Sequence, residues 1–151
     1  MNELLSDALS RALRYLEGAP RRRVSPAPAD LERLVELGGP LPEHPSDPRA
    51  VVALLDDVGS PATVINTAGR YFGFVNGGSL PAALAADWLA AAWDQNAGPA
   101  VCSPTAAALE ETVIGWIRHL LRLPEGTGGG LVTGASMANF CGLAAARHAL
   151  L

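Results

Sequence analysis

The chain has 151 residues, 49% of them hydrophobic and only 17% charged, and all eleven of its basic Lys/Arg positions are arginine. Fifteen carboxylates leave a net charge of −4, which argues against a nucleic-acid surface built on counterion release. With no lysine anywhere, no phosphate can be held by a lysine ammonium and no cofactor can be attached to one.

In chain order, Leu4, Leu5, Ala8, Leu9, Ala12, Leu13 and Leu16 recur at helical spacing, and Gly18 with Pro20 ends the pattern. Arg21-Arg22-Arg23 lies in the proline-rich linker that follows and reads as a solvated run. Asp30–Val35 predicts a short helix stopped by Gly38-Gly39-Pro40. Asp47-Pro48 supplies a cap and a first-turn proline for a third helix through Leu54-Leu55. These small helices bury little alone, so residues 1–60 read as an arm that packs on something else.

From Pro61 the texture changes. Tyr71-Phe72-Gly73-Phe74-Val75 is a compact aromatic run ending in the turn Asn76-Gly77-Gly78-Ser79. It reads equally as the wall of a small-molecule pocket or as a core strand followed by a helix-start loop. Ser79 and Pro81 open a helix through Trp93 that is apolar nearly all round, which predicts burial; it is too short to span a membrane and contains Asp87. Ser103-Pro104 opens another, with Leu109, Val113, Trp116, Ile117 and Leu120 as its apolar stripe and Pro124 beyond it. Glu110 and Glu111 are adjacent, point in different directions and make no paired-carboxylate site; they read as acids complementing the helix dipole. A glycine-rich stretch, a strand around Leu131-Val132-Thr133 and a last apolar helix complete the chain. Helices followed by strand–turn–helix predict the opening of an α/β domain.

Cys102 and Cys141 have no partner spacing, so reduced thiols in the cytoplasm are expected. The first residues carry acids where a signal peptide carries bases. His44, His119 and His148 show neither metal-ligand spacing with the cysteines nor the placement of a catalytic base, and no residue is assigned a catalytic or metal-ligating role. High apolar content and an uncapped last helix suggest the front portion of a larger protein.

The turn Gly134-Ala135-Ser136-Met137-Ala138 admits three readings. The N–H groups of Ala135 and Ser136, with the Ser136 hydroxyl, suit a phosphate, because helix-start amides lack intrahelical acceptors and the helix dipole favours an anion. Gly-x-Ser-x-Ala is also a degenerate nucleophile elbow, which would make Ser136 a serine hydrolase nucleophile. Ser136 as an ordinary helix cap is the plainest of the three.

Taken together, Arg70–Pro81, then Ser103-Pro104 with Leu109-Glu110, then Gly128-Gly129-Gly130 through Ala146-Arg147 resemble the N-terminal portion of the group II pyridoxal-phosphate-dependent amino-acid decarboxylases, the family of aromatic-L-amino-acid and glutamate decarboxylases. The resemblance implies the aspartate aminotransferase fold (type I), with 1–60 as the N-terminal helical arm and 61–151 as the beginning of the large domain, including its first strand. It implies pyridoxal 5'-phosphate as cofactor, with Ala135 and Ser136 on its phosphate, and Phe74, Val75, Asn76 and Gly77 in contact with an L-amino-acid substrate. A homodimeric, cytoplasmic carboxy-lyase follows as the parent, with no nucleic-acid or membrane partner. The sequence departs from the family in having Ala68-Gly69 where His-Pro often precedes the aromatic run. The family's cofactor-attaching lysine, its ring-pairing aspartate and its stacking histidine would lie beyond residue 151, so this stretch alone is expected to be inactive. A non-catalytic helical interaction module is the remaining alternative. Arg70 is read either as a receptor for an acidic substrate or as a solvated loop residue.

Overall fold

In the computed structural model, which describes residues 1–151, every regular element is a helix. The chain divides into two units, Met1–Leu84 and Ala85–Leu151. Helix α1 spans Asn2–Gly18. Helix α2 covers Pro28–Glu32 and tightens into a 3₁₀ turn over Arg33–Leu37. Helix α3 (Pro48–Leu54) runs through a π-helical turn at Leu55–Gly59 into the short α4 (Ser60–Ala62). Helices α5 (Pro81–Trp93), α6 (Pro104–Leu120) and α7 (Ala135–Leu150) follow.

Caps set several of these boundaries as the sequence predicts. Asp47 accepts the Arg49 N–H at 3.1 Å with Pro48 at the first helical position. Ser103, nearly fully buried, accepts the Ala106 N–H at 3.3 Å at the head of α6. The end of α6 is closed by the Leu123 N–H reaching back to the Arg118 carbonyl at 3.0 Å, with Arg122 in the left-handed conformation.

The buried apolar residues Ala19, Val58 and Ile65 all belong to the first unit. Ile65 is wholly buried, and its N–H donates to the Val24 carbonyl at 3.0 Å. On α1 the leucine pattern resolves into two faces. Leu4, Ala8, Ala12 and Leu16 are half-buried toward α3, whereas Leu5, Leu9 and Leu13 face solvent.

Charge pins α1 in place. Arg11 pairs with Asp7 at 2.9 Å on its own helix, and with Asp56 at 3.0 Å and Asp57 at 2.9 Å on the π-helical turn; Arg49 of α3 pairs with Glu3. The Ser60 hydroxyl donates to Asp56 at 2.5 Å and, with Arg11 and Arg14, holds the Asp56 carboxyl below the usual carboxylate range against the opposing effect of burial. A carboxyl whose folded pKa is depressed stabilises the fold above its unfolded pKa, about 4, and that contribution fades as pH falls through the folded value. The first unit is therefore expected to lose stability below about pH 4. Asp56→Asn should cost roughly 1 kcal/mol at neutral pH and flatten that acid limb, read by urea unfolding across a pH series.

The structure differs from expectation in α5, α6 and the segment before α7. Helix α5 has no buried residue, and Trp88, Leu89 and Trp93 are 40–53% exposed. A helix apolar all round is buried only where neighbours cover every side, and this chain does not supply them. On α6, Leu109, Trp116, Ile117 and Leu120 point outward, because the covered face is that of Ala106, Ala107, Glu110, Val113 and Ile114. Gly129 lies against that face, where a Cβ would come within 3.3 Å of Ile114. Glu110 sits in mid-helix, and its carboxylate accepts the Leu131 N–H at 2.8 Å instead of serving the helix dipole. That bond takes a donor a ladder would use, and no extended segment pairs with Leu131-Val132-Thr133. The first strand expected there is not seen in this chain.

Candidate active site

The start of α7 is built by one glycine. Gly134 adopts φ 97°, ψ 166°, a conformation essentially reserved for glycine, and its N–H bonds back to the Val132 carbonyl at 3.0 Å. The first intrahelical bond is that of the Ala138 N–H to the Gly134 carbonyl at 3.1 Å. The N–H groups of Ala135, Ser136 and Met137 therefore project from the helix start without a protein acceptor, at the positive end of a 16-residue helix.

No side chain caps α7, so Ser136 is not the N-cap: Gly134 occupies that position, and Ser136 stands one residue inside the helix, exposed. An added Cβ at Gly134 would meet nothing within 4 Å, and Ala135, Ser136 and Met137 are all exposed. Three unpaired N–H donors at a helix start, beside an exposed hydroxyl, can hold an oxyanion. For the elbow reading, the strand is absent. His148 lies on the same helix, twelve residues and about 18 Å along the axis from Ser136.

Phe74, Val75, Asn76 and Gly77 occupy an exposed turn, not a strand. The Asn76 N–H bonds the Gly73 carbonyl at 3.4 Å, and its side-chain amide donates to the Tyr71 hydroxyl at 3.2 Å. Phe74 (φ 52°) and Val75 (φ 56°) are consecutive left-handed residues, unusual for a non-glycine and strained for a β-branched side chain. Both side chains stand in solvent, 93% and 103% exposed. Within this chain they enclose no pocket; the groove of about 510 Å³ beside α1 is lined by Ala12, Leu16, Val52, Asn66 and Ser79 among others. Strain of this kind, about 1–2 kcal/mol per residue, persists where the conformation serves a contact. Glycine content signalled the turn before α7, but no pattern in the sequence marked two left-handed non-glycine residues.

Arg70 is an exposed loop residue, as one of its two readings has it, but its guanidinium is not free. One of its terminal nitrogens donates to the carbonyls of Pro20, at 2.9 Å, and Arg22. No three His, Cys, Asp or Glu side chains gather as a metal site, and both cysteines are free and exposed. No helix is long and apolar enough to cross a membrane.

Set beside known proteins, residues 42–151 match the sequence model described as the pyridoxal-dependent decarboxylase conserved domain. Over 112 residues the chain is 30% identical to an aromatic-L-amino-acid decarboxylase of Bacillus atrophaeus, a match covering 74% of this chain and 23% of that enzyme. The chain thus spans about a quarter of the length of this curated relative. No solved structure matches it.

Proposed function

We propose, from the premise that the chain belongs to the pyridoxal-dependent decarboxylase family, that it forms the phosphate-gripping turn and part of the substrate site of an L-amino-acid carboxy-lyase. The cofactor of this family is pyridoxal 5'-phosphate, and the family's fold is type I of the pyridoxal-phosphate enzymes. The turn at Gly134 fits the phosphate: three unpartnered N–H groups and the Ser136 hydroxyl belong to exposed residues at a helix start. That observation carries the proposal.

In this reading Ala135 and Ser136 hold the phosphate through their N–H groups, and Ser136 adds its hydroxyl. Phe74, Val75, Asn76 and Gly77 touch the substrate, the aromatic and aliphatic side chains excluding water and Asn76 offering a neutral polar group. When bound, the cofactor supplies an electron sink for the pair left as the α-carboxylate departs as CO₂. The chain's share is binding and orientation, because it has no lysine to carry the covalent attachment.

Organisation follows the same reading. Residues 1–60 act as a helical arm, and 61–151 begin the large domain; the second unit, with no buried apolar residue, calls for further structure to cover it. The outward leucines of α1 and the exposed faces of α5 and α6 suit the interface of a cytoplasmic homodimer.

The chain alone is expected to bind pyridoxal 5'-phosphate reversibly and to release no CO₂ from any amino acid. Absorbance titration followed by dialysis and borohydride reduction checks this. Full loss of the cofactor on dialysis is the expected result; reductive attachment to a side chain would overturn the division of labour.

A further inference from the structure

We propose that Arg70 is the positioning residue of the substrate loop, its guanidinium clasping main-chain carbonyls just beyond α1 and so fixing the point from which residues 71–79 depart. The inference rests on the reading that Phe74–Gly77 touch substrate. Arg70 donates to the Pro20 carbonyl at 2.9 Å and to that of Arg22, across 50 and 48 residues of sequence.

The clasp is reciprocal. Arg22 donates in the other direction, to the carbonyls of Ser60 at 2.8 Å and Pro61 at 3.1 Å, and its guanidinium lies 5.1 Å from the centroid of the Tyr15 ring. Between these two arginines the Ile65 N–H bonds Val24. Segments 15–24 and 60–70 are thereby stitched together from both sides. Beyond Arg70 the pattern stops. The Tyr71 N–H turns back to Ala68 at 3.0 Å, and the bonds of Asn76 stay inside the loop. Arg70 is the last side chain with a hydrogen bond outside the loop before α5 begins at Pro81.

A guanidinium suits this task, being permanently charged, planar and able to serve two acceptors from one terminal nitrogen. Its charge is directed at main-chain oxygens, not at a substrate carboxylate. The loop's own offer is Phe74, Val75 and Asn76, which favours a substrate side chain without negative charge.

Nitroxide pairs on the full chain, with Cys102 and Cys141 replaced by serine, test this by pulsed electron paramagnetic resonance. One pair sits at Ser10→Cys and Gly77→Cys, since a Cβ at Gly77 meets nothing within 4 Å; the control pair sits at Ser10→Cys and Val51→Cys, on α1 and α3. Arg70→Ala is expected to broaden the 10/77 distance distribution roughly twofold, Arg70→Lys to restore most of its width, and the control pair to stay unchanged. An unaltered 10/77 width, or a control pair that broadens equally, overturns the proposal. The substrate reading fails separately: Phe74→Ala in the complete enzyme leaving KM unchanged would retire it while the clasp stood.

Discussion

Replacing Ile65 by alanine is expected to destabilise the first unit by about 2–5 kcal/mol, the largest effect of any single truncation in the chain. Ile65 is wholly buried, and its only companions at comparable depth among apolar residues are Val58 and Ala19. Removing three carbons there loses their transfer energy and leaves a cavity that two neighbours cannot fill. The surrounding cross-links are peripheral: the bond of the Ile65 N–H to Val24 stays available, and the ion pairs around Arg11 are screened by solvent. Urea unfolding followed by far-UV circular dichroism reads the change as a lower midpoint at constant slope. Ile65→Val should cost about 0.5–1.5 kcal/mol, which grades the effect by volume. Equal effects of the two substitutions would show that burial at this position does not anchor the unit.

Gly134→Ala is the second large effect, and it acts on the site. The glycine's φ of 97° and ψ of 166° strain any residue carrying a Cβ by about 1–3 kcal/mol, although the space around it is empty. Relief of that strain is expected to rotate the start of α7 and so to change where the N–H groups of Ala135, Ser136 and Met137 point. Affinity for pyridoxal 5'-phosphate is expected to fall about tenfold or more, since 1.4 kcal/mol corresponds to a factor of ten. Gly128→Ala, in the same glycine-rich segment but with an ordinary φ and open space, is expected to leave affinity unchanged. Parallel absorbance titrations of the two variants separate geometry from a general loss of loop flexibility.

What was legible in the sequence followed from local chemistry. Asp47 with Pro48, and Ser103 with Pro104, start helices because cap and proline act within one turn. The small-residue turn before α7 was legible for the same reason. Partner-dependent features were not. A strand at Leu131–Thr133 exists only with a neighbour to pair with, and Glu110 takes the Leu131 N–H instead. The apolar stripe of α6 named residues at helical spacing, but the more covered face is the one that Gly129 lies against, at Ile114. Arg70 is the exposed loop cation it reads as, but its acceptors are carbonyls some fifty residues away, and carbonyls carry no sequence signature. The serine at position 136 offered itself as a cap, yet the glycine two residues earlier defines the helix start and leaves the hydroxyl free.

Amide chemical shifts of Ala135, Ser136 and Met137, followed while the chain is titrated with pyridoxal 5'-phosphate and separately with pyridoxal, test most directly whether this backbone grips the cofactor's anionic tail. All three resonances should move with the phosphate ester and stay in place with the unphosphorylated vitamer. Resonances that ignore the ester, or that respond equally to both compounds, would contradict the assignment of this turn.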